Sequence, residues 1–422
     1  MTNKKIVFYY PSNNIGGAQL LFMRLAEFFI KNFSSDYDIY YIDYANGYAK
    51  TKLNNSNIIF IDYIDGKTIS LPENTITITS LNHIFHINRI FEFDNNVLFI
   101  FWSIAPNNLK GYFHYGSNFY YLSKKRKRIF ATYLIELYSK HFLQFMDYSN
   151  YISNADFFQF TISKPEYLQI PVIIERNYEK IEAENNFDKI RLGWLGRIDD
   201  DKINSIKNIF FEINRSKYKS KIDFYIIGNG NCFESLIQFS SQFNINAFFV
   251  GQLEGTELEN YILKNIDIGI AMGTSSLELG KMAIPVIIVD SYRKVFRHKK
   301  LKYNLLYSTP GYSLGDIYPF KKNMTRLFYF DEALQFILDN YDSLSTLTYN
   351  YVKHNHSLTE VSSKLNNIIK AVNFNDSYYE CNIIKNLDLL YRKHNKTFFI
   401  KILEYSKKIY RFIVLPKNRT IS

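Results

Sequence analysis

One repeated pattern restricts this chain more than any other: a short β-rich run, a turn carrying glycine, then a helical segment. KIVFYY, residues 5–10, leads into Gly16-Gly17. In the stretch that follows, Leu21, Leu25, Phe28 and Phe29 fall on one helical face. YDIYYIDY, NIIFID, TITITS and VLFIFW read as further strands, and the first series ends near Ile170-Pro171. A charged, polar stretch from Glu175 to Phe187 reads as a linker. Then IRLGWLG opens a second series, continued by KIDFYIIGNG, AFFVGQL, IDIGIAM and AIPVIIVD. One long helix over residues 349–372 is expected to close it. Strands alternating with helices build a parallel sheet covered on both faces. The expected fold class is therefore α/β, with two Rossmann-like doubly wound parallel-sheet domains. They span residues 1–174 and 187–372, and a basic amphipathic tail spans 373–422. A length of 422 residues suits two domains, since single cores of roughly 150–200 residues are usual.

Composition narrows the function. Hydrophobic residues make up 47% and charged residues 22%, which fits a globular chain rather than a disordered one. Cys232 and Cys381 are the only cysteines, too few for a disulfide framework or a cysteine metal cluster, so a cytoplasmic setting is expected. The apolar run at the N-terminus is too short for a signal peptide. No apolar stretch approaches the ~20 residues of a membrane-spanning helix. The net charge of +11 points to anionic partners. The basic residues match no nucleic-acid motif, so nucleic acid is not expected as a partner. Lys124 to Arg128 form one basic cluster. In the tail, Arg392, Lys393, Lys396, Lys401, Lys407, Lys408, Arg411, Lys417 and Arg419 interleave with apolar residues such as Phe398, Ile402 and Phe412. That pattern suits an anionic membrane surface.

Four segments could carry chemistry. Gly16-Gly17 lets the backbone approach a ligand at a helix N-terminus, although an ordinary strand-to-helix turn looks the same. Arg197 and Lys202 follow the strand LGWLG, in the crevice where open α/β sheets bind ligands, and two cations there could neutralise a diphosphate. Asp199, Asp200 and Asp201 between them read as an acidic loop rather than a metal site, because no further ligand is paired with them. Gly228 and Gly230 mark another strand end. Finally, in MGTSSLELGKMAIPVIIVD, residues 272–290, a strand ends at Gly273 and Thr274 or Ser275 can cap the next helix. Glu278, one turn in, could accept hydrogen bonds from a ribose or simply complement the helix dipole.

Taken in order, these elements resemble the retaining glycosyltransferases of the GT-B fold, family 4. The family pattern runs Gly-Gly before the first helix, Gly-Arg with Lys five residues on, Gly-x-Gly, then a Glu-bearing helix before a Pro-Val strand. Here it reads Gly16-Gly17, Gly196-Arg197 with Lys202, Gly228 and Gly230, and Glu278 before Pro285-Val286. His356-Ser357 lies in what resembles the family's closing helix.

The resemblance implies two domains facing a cleft, an N-terminal one binding the acceptor and a C-terminal one binding a UDP- or GDP-sugar. Arg197 and Lys202 would hold the diphosphate, Gly273, Thr274 and Ser275 would offer backbone N–H groups, and Glu278 would bind the ribose. No divalent metal or other cofactor is expected. The acceptor would be a saccharide, lipid-linked, in O-antigen or capsule synthesis on the inner face of the cytoplasmic membrane. The chain departs from the family in one respect. The first of two family glutamates would fall at Ile270, inside a strand, and is absent. The acceptor-side histidine is also missing from FWSIAPNNL, leaving His83, His86 and His114 as alternatives. A sugar-nucleotide 2-epimerase and an inactive nucleotide-sugar-binding subunit stay open as alternative functions.

Overall fold

A computed structural model of the chain describes residues 4–13, 16–53, 57–92, 96–115, 119–120, 122–174, 187–317 and 326–414; for 114–115, 119–120 and 396–414 it describes the backbone alone. By its contacts the chain forms two compact units. One comprises residues 1–145, 150–166 and 367–422, the other residues 146–149 and 167–366. Nearly all of the expected linker, residues 175–186, lies outside the described residues, as do Lys417 and Arg419.

The first unit is built on β1 (Lys4–Tyr9), β2 (Tyr37–Tyr44), β3 (Ile59–Tyr63), β4 (Thr75–Ser80), β5 (Val97–Ser103) and β6 (Leu143–Phe145). They form one sheet in the order β6-β5-β4-β1-β2-β3, every pairing parallel. Every residue of β4 and β5 is buried, as a central parallel strand covered on both faces requires. Helix α1 (Gly17–Phe33) buries Leu21, Phe22, Leu25, Ala26 and Phe29. The buried stripe is thus centred one residue away from the expected one, and Phe28 is left half-buried at its border. The basic cluster opens α2 (Lys124–Ser139), whose N-cap Ser123 accepts from the Arg126 amide.

The second unit contains β7 (Ile190–Leu195), β8 (Ile222–Ile227), β9 (Asn246–Gly251), β10 (Ile268–Ala271), β11 (Val286–Ile288), β12 (Lys302–Leu305) and β13 (Phe328–Tyr329). Their order is β9-β8-β7-β10-β11-β12-β13. The first five are parallel, and β12 and β13 add an antiparallel edge. Helices α3 (Ile203–Arg215), α4 (Phe233–Ser240), α5 (Gly255–Asn265) and α6 (Thr274–Gly280) follow their strands in turn. Trp194, Ile206, Phe210, Phe224 and Ile270 share its larger core cluster.

The expected closing helix is two helices, α7 (Tyr341–His356) and α8 (Leu358–Ala371). Ser357 between them is extended, with φ −64° and ψ 146°. Val172 occupies the break: its N–H donates to the His356 carbonyl at 2.7 Å and its carbonyl accepts from Leu358 N–H at 3.0 Å. Local periodicity carries no sign of this, because the competing partner is almost two hundred residues upstream.

In the segment 373–422 a short 3-10 turn, Phe374–Asp376, leads into α9 (Ser377–Val414). Its first half is packed in the first unit: Glu380, Ile383, Ile384, Leu387, Asp388 and His394 are buried.

Candidate functional site

In an open α/β sheet ligands bind beyond the carboxyl ends of the strands where the strand order reverses. In the second unit that point lies between β7 and β10, since the chain runs β7, β8, β9 to one side and then returns to β10 on the other. Three of the expected segments meet around it.

Gly196 follows β7 with φ +144° and Gly228 follows β8 with φ +136°. A Cβ on Gly228 would lie 2.1 Å from the Gly196 carbonyl oxygen, so only glycine fits the crossing. Gly196 N–H donates to Ile227 O at 3.0 Å, and Gly228 N–H to Gly251 O at 2.7 Å. Gly230 packs as closely on Ile198 and Asp199. These glycines let three loops stack tightly at the strand ends.

A Cβ on Gly196 would stand 3.3 Å from Ser275 Oγ and 3.5 Å from Lys202 Nζ. The Gly196–Lys202 loop, at the head of α3, therefore faces the Gly273–Ser275 turn, at the head of α6. Gly273 has φ +63° and ψ −147°, a conformation that is close to glycine-only. Thr274 and Ser275 do not cap α6, contrary to expectation. Gly273 is the N-cap, Thr274 and Ser275 are the first two helical residues, and the Ser276 hydroxyl donates to Gly273 O at 2.6 Å. Gly273 N–H donates to Leu314 O at 2.7 Å and Ser276 N–H to Gly273 O at 3.1 Å, which leaves Thr274 and Ser275 as the first-turn amides that a ligand can meet.

The two cations differ. Arg197 is exposed, and its Nη1 donates to Asp199 Oδ2 at 2.6 Å. Lys202 is half-buried and makes no side-chain hydrogen bond or ion pair among the described residues. Burial lowers its pKa from the ordinary lysine range, Asp201 opposes that shift and Arg197 reinforces it. A partly dehydrated ammonium without a carboxylate in contact is the setting in which an incoming anion gains most.

The acidic loop holds the adjacent loop at 231–232. Asp199 Oδ1 accepts from Asn231 N–H at 3.2 Å, and Asp200 accepts from the Asn231 side-chain Nδ2 at 3.1 Å and from the Cys232 thiol at 3.3 Å. Among the described residues no group of three or more His, Cys, Asp or Glu is placed to hold a metal ion. Glu278 lies in the second turn of α6, where its Oε2 meets Lys281 Nζ at 2.9 Å; the same ammonium meets Glu259 at 2.9 Å. Ile270 is fully buried in β10, register-paired with Trp194 and Ile287.

Gly16 and Gly17 belong to the first unit, at the entry to α1. There the strand order reverses between β1 and β4, and His83 stands just past the end of β4. Its Nδ1 is 2.7 Å from Thr79 Oγ1, which donates its own proton to Tyr9 O at 3.0 Å. The imidazole must therefore donate from Nδ1, which leaves the lone pair on Nε2. Burial lowers the His83 pKa to about 4, keeping the ring neutral. Tyr9 and Tyr10 pack on it, with ring centroids at 5.0 and 5.6 Å. His86 instead packs on Tyr112 and Tyr391, and the side chain of His114 lies outside the described residues. Nothing in the local sequence separates His83 from the other two, because its position beside Tyr9 comes from strand order.

No family model matches the chain, and no curated protein matches it in sequence. Solved structures do match in shape. A glycosyltransferase from Rickettsia africae has a TM-score of 0.54 at 11% identity, covering 88% of this chain and 99% of its own. Anabaena Alr3699/HepE in complex with UDP has a TM-score of 0.53 at 10% identity, covering 87% of this chain and 100% of its own. The lipopolysaccharide outer core galactosyltransferase WaaB has a TM-score of 0.51 at 12% identity, covering 87% and 99%. With two parallel-sheet units, each flanked by helices, the chain has the GT-B fold.

Proposed function

We propose that the protein is a glycosyltransferase that moves a sugar from a UDP- or GDP-sugar to a saccharide acceptor. The observation that carries this is Lys202: a half-dehydrated ammonium without an ion-pair partner among the described residues, at the strand-order reversal, across from the Gly273–Ser275 backbone. The bond from the anomeric carbon to the diphosphate breaks, and its electron pair leaves on phosphate. Lys202 and the amides at the head of α6 stabilise that charge without a divalent metal. Arg197 is the secondary cation, because reaching a ligand requires it to leave Asp199. Glu278 binds the ribose after turning from Lys281. HepE has been crystallised with UDP and with UDP-glucose, which supports a nucleotide-sugar donor.

The first unit holds the acceptor, with His83 Nε2 positioned to hydrogen-bond its hydroxyl. The acceptor is a lipid-linked saccharide of surface-polysaccharide synthesis, and the enzyme works at the inner face of the cytoplasmic membrane. Its family 4-like motif order suggests retention of anomeric configuration and transfer of a hexose.

Thermal stabilisation by UDP, GDP and their sugars, in EDTA, tests the donor site. One nucleotide should stabilise the wild type. Lys202→Ala should weaken its binding by about 10- to 100-fold, the worth of one charge-assisted contact, and Glu278→Ala should weaken it as well. Equal stabilisation of wild type and Lys202→Ala would sink the assignment.

A further inference from the structure

Behind the candidate site lies a buried ion cluster to which none of the residues assigned above belongs. Asp290 follows β11 and is fully buried; Asp316 and Arg326 are nearly so. Arg326 grips Asp290 with two prongs, Nε to Oδ2 at 3.0 Å and Nη2 to Oδ1 at 2.8 Å, and Nη2 also meets Asp316. Backbone bonds complete the unit. Asp316 N–H donates to Asp290 Oδ1 at 2.8 Å, Asp316 O accepts from Ser291 N–H at 2.7 Å, and the Ser313 hydroxyl donates to Asp316 Oδ1 at 3.1 Å. Burial raises the Asp290 pKa to about 6 even with the guanidinium in place.

Both halves of the candidate site lean on this cluster. On one side Leu314 O accepts the Gly273 N–H at 2.7 Å. Gly315, with φ +112°, lies flush against the strand ends: a Cβ there would stand 2.6 Å from Val289 O and 3.3 Å from Met272 Cβ. On the other side Asp290 O accepts the Ser205 hydroxyl at 2.8 Å, and the Ser291 hydroxyl donates to Asp201 O at 3.0 Å, next to Lys202.

We propose that Arg326 is a positioning residue: through Asp290 and Asp316 it fixes the 313–316 turn, and through the Leu314 carbonyl it sets the Gly273–Ser275 backbone that meets the donor diphosphate. This rests on the donor reading of that backbone. Without the guanidinium two buried carboxylates face each other unpaired. The turn then has every reason to open, releasing the Gly273 amide while β7 and β10 stay packed.

The test compares wild type, Arg326→Gln, Arg326→Lys and the milder Asp316→Asn by amide hydrogen exchange and by titration with UDP and GDP. Arg326→Gln and Asp316→Asn should exchange at least tenfold faster in the peptide covering 272–277, with β7 unchanged, and bind the nucleotide at least tenfold more weakly. Arg326→Lys should recover part of both. Should Arg326→Gln fail to fold, Asp316→Asn carries the comparison. Unchanged exchange at 272–277 would overturn the clamp. Faster exchange with unchanged nucleotide affinity would overturn the positioning role. If the wild type binds neither nucleotide, the donor reading falls, and faster exchange would then mark the cluster as purely structural.

Discussion

At the head of α3 the Lys202 ammonium has lost water without gaining a carboxylate in contact, while Arg197, five residues earlier, is exposed and held by Asp199. Identical formal charges thus differ in what an anion can gain from them, and that difference comes from burial. His356 shows the same principle for a structural residue. It is buried, its Nδ1 lies 2.9 Å from Ile170 O, and Nε2 has no partner among the described residues, which fits a neutral ring. Burial holds its pKa at about 4. The unfolded chain takes up a proton near the ordinary value and the folded one does not. The stabilisation is therefore complete above about 6.5 and is lost as pH falls towards 4. At pH 5 this costs the fold about 2 kcal/mol relative to pH 8. Asp290, raised to about 6, works in the opposite sense, so the comparison is with His356→Asn, which keeps a donor but cannot charge. Urea unfolding at pH 8 and pH 5 should show a loss smaller by about 2 kcal/mol in that variant. An identical loss in both proteins would mean that His356 charges in the folded state.

Among the elements, α9 joins the first unit through a polar contact. Residues 101–103 of β5 pair with β6, whereas Phe99 earlier in the strand meets Glu380, whose two carboxyl oxygens lie 3.1 and 3.0 Å from the Phe99 nitrogen. Burial pushes the Glu380 carboxyl well above the ordinary range, which favours the neutral acid. Glu380→Ala removes the carboxyl that accepts this buried N–H and should cost about 1–3 kcal/mol in denaturant unfolding. Glu380→Gln preserves an acceptor and should stay within about 1 kcal/mol of wild type. Equal losses would show that packing, and not the hydrogen bond, holds the helix.

On the scale of the whole molecule, the net charge of +11 favours anionic partners, and among the described residues no helix is long and apolar enough to cross a membrane. The proposed partner is an anionic lipid surface, met by the C-terminal half of α9. Removing everything after 373 would remove buried residues such as Ile384 and Leu387 as well. A chain ending at Asn395 keeps them. That chain should lose binding to phosphatidylglycerol vesicles at low ionic strength, while wild type binds them and ignores phosphatidylcholine. Retained binding by the shortened chain would move the contact elsewhere, first to Lys124–Arg128.

The sequence by itself determined the two α/β series and the glycines at the strand ends, because strand and helix periods and the backbone freedom of glycine are local properties. Its four motif segments also mark where the loops lie. Tertiary structure decided the rest. Strand order placed Lys202 opposite Ser275 and His83 beside Tyr9, and burial separated Lys202 from Arg197. A partner nearly two hundred residues away divided the closing helix at Ser357. The Asp290–Asp316–Arg326 cluster had no sequence signature, because its members draw their meaning from shared burial, and burial is a property of the folded chain.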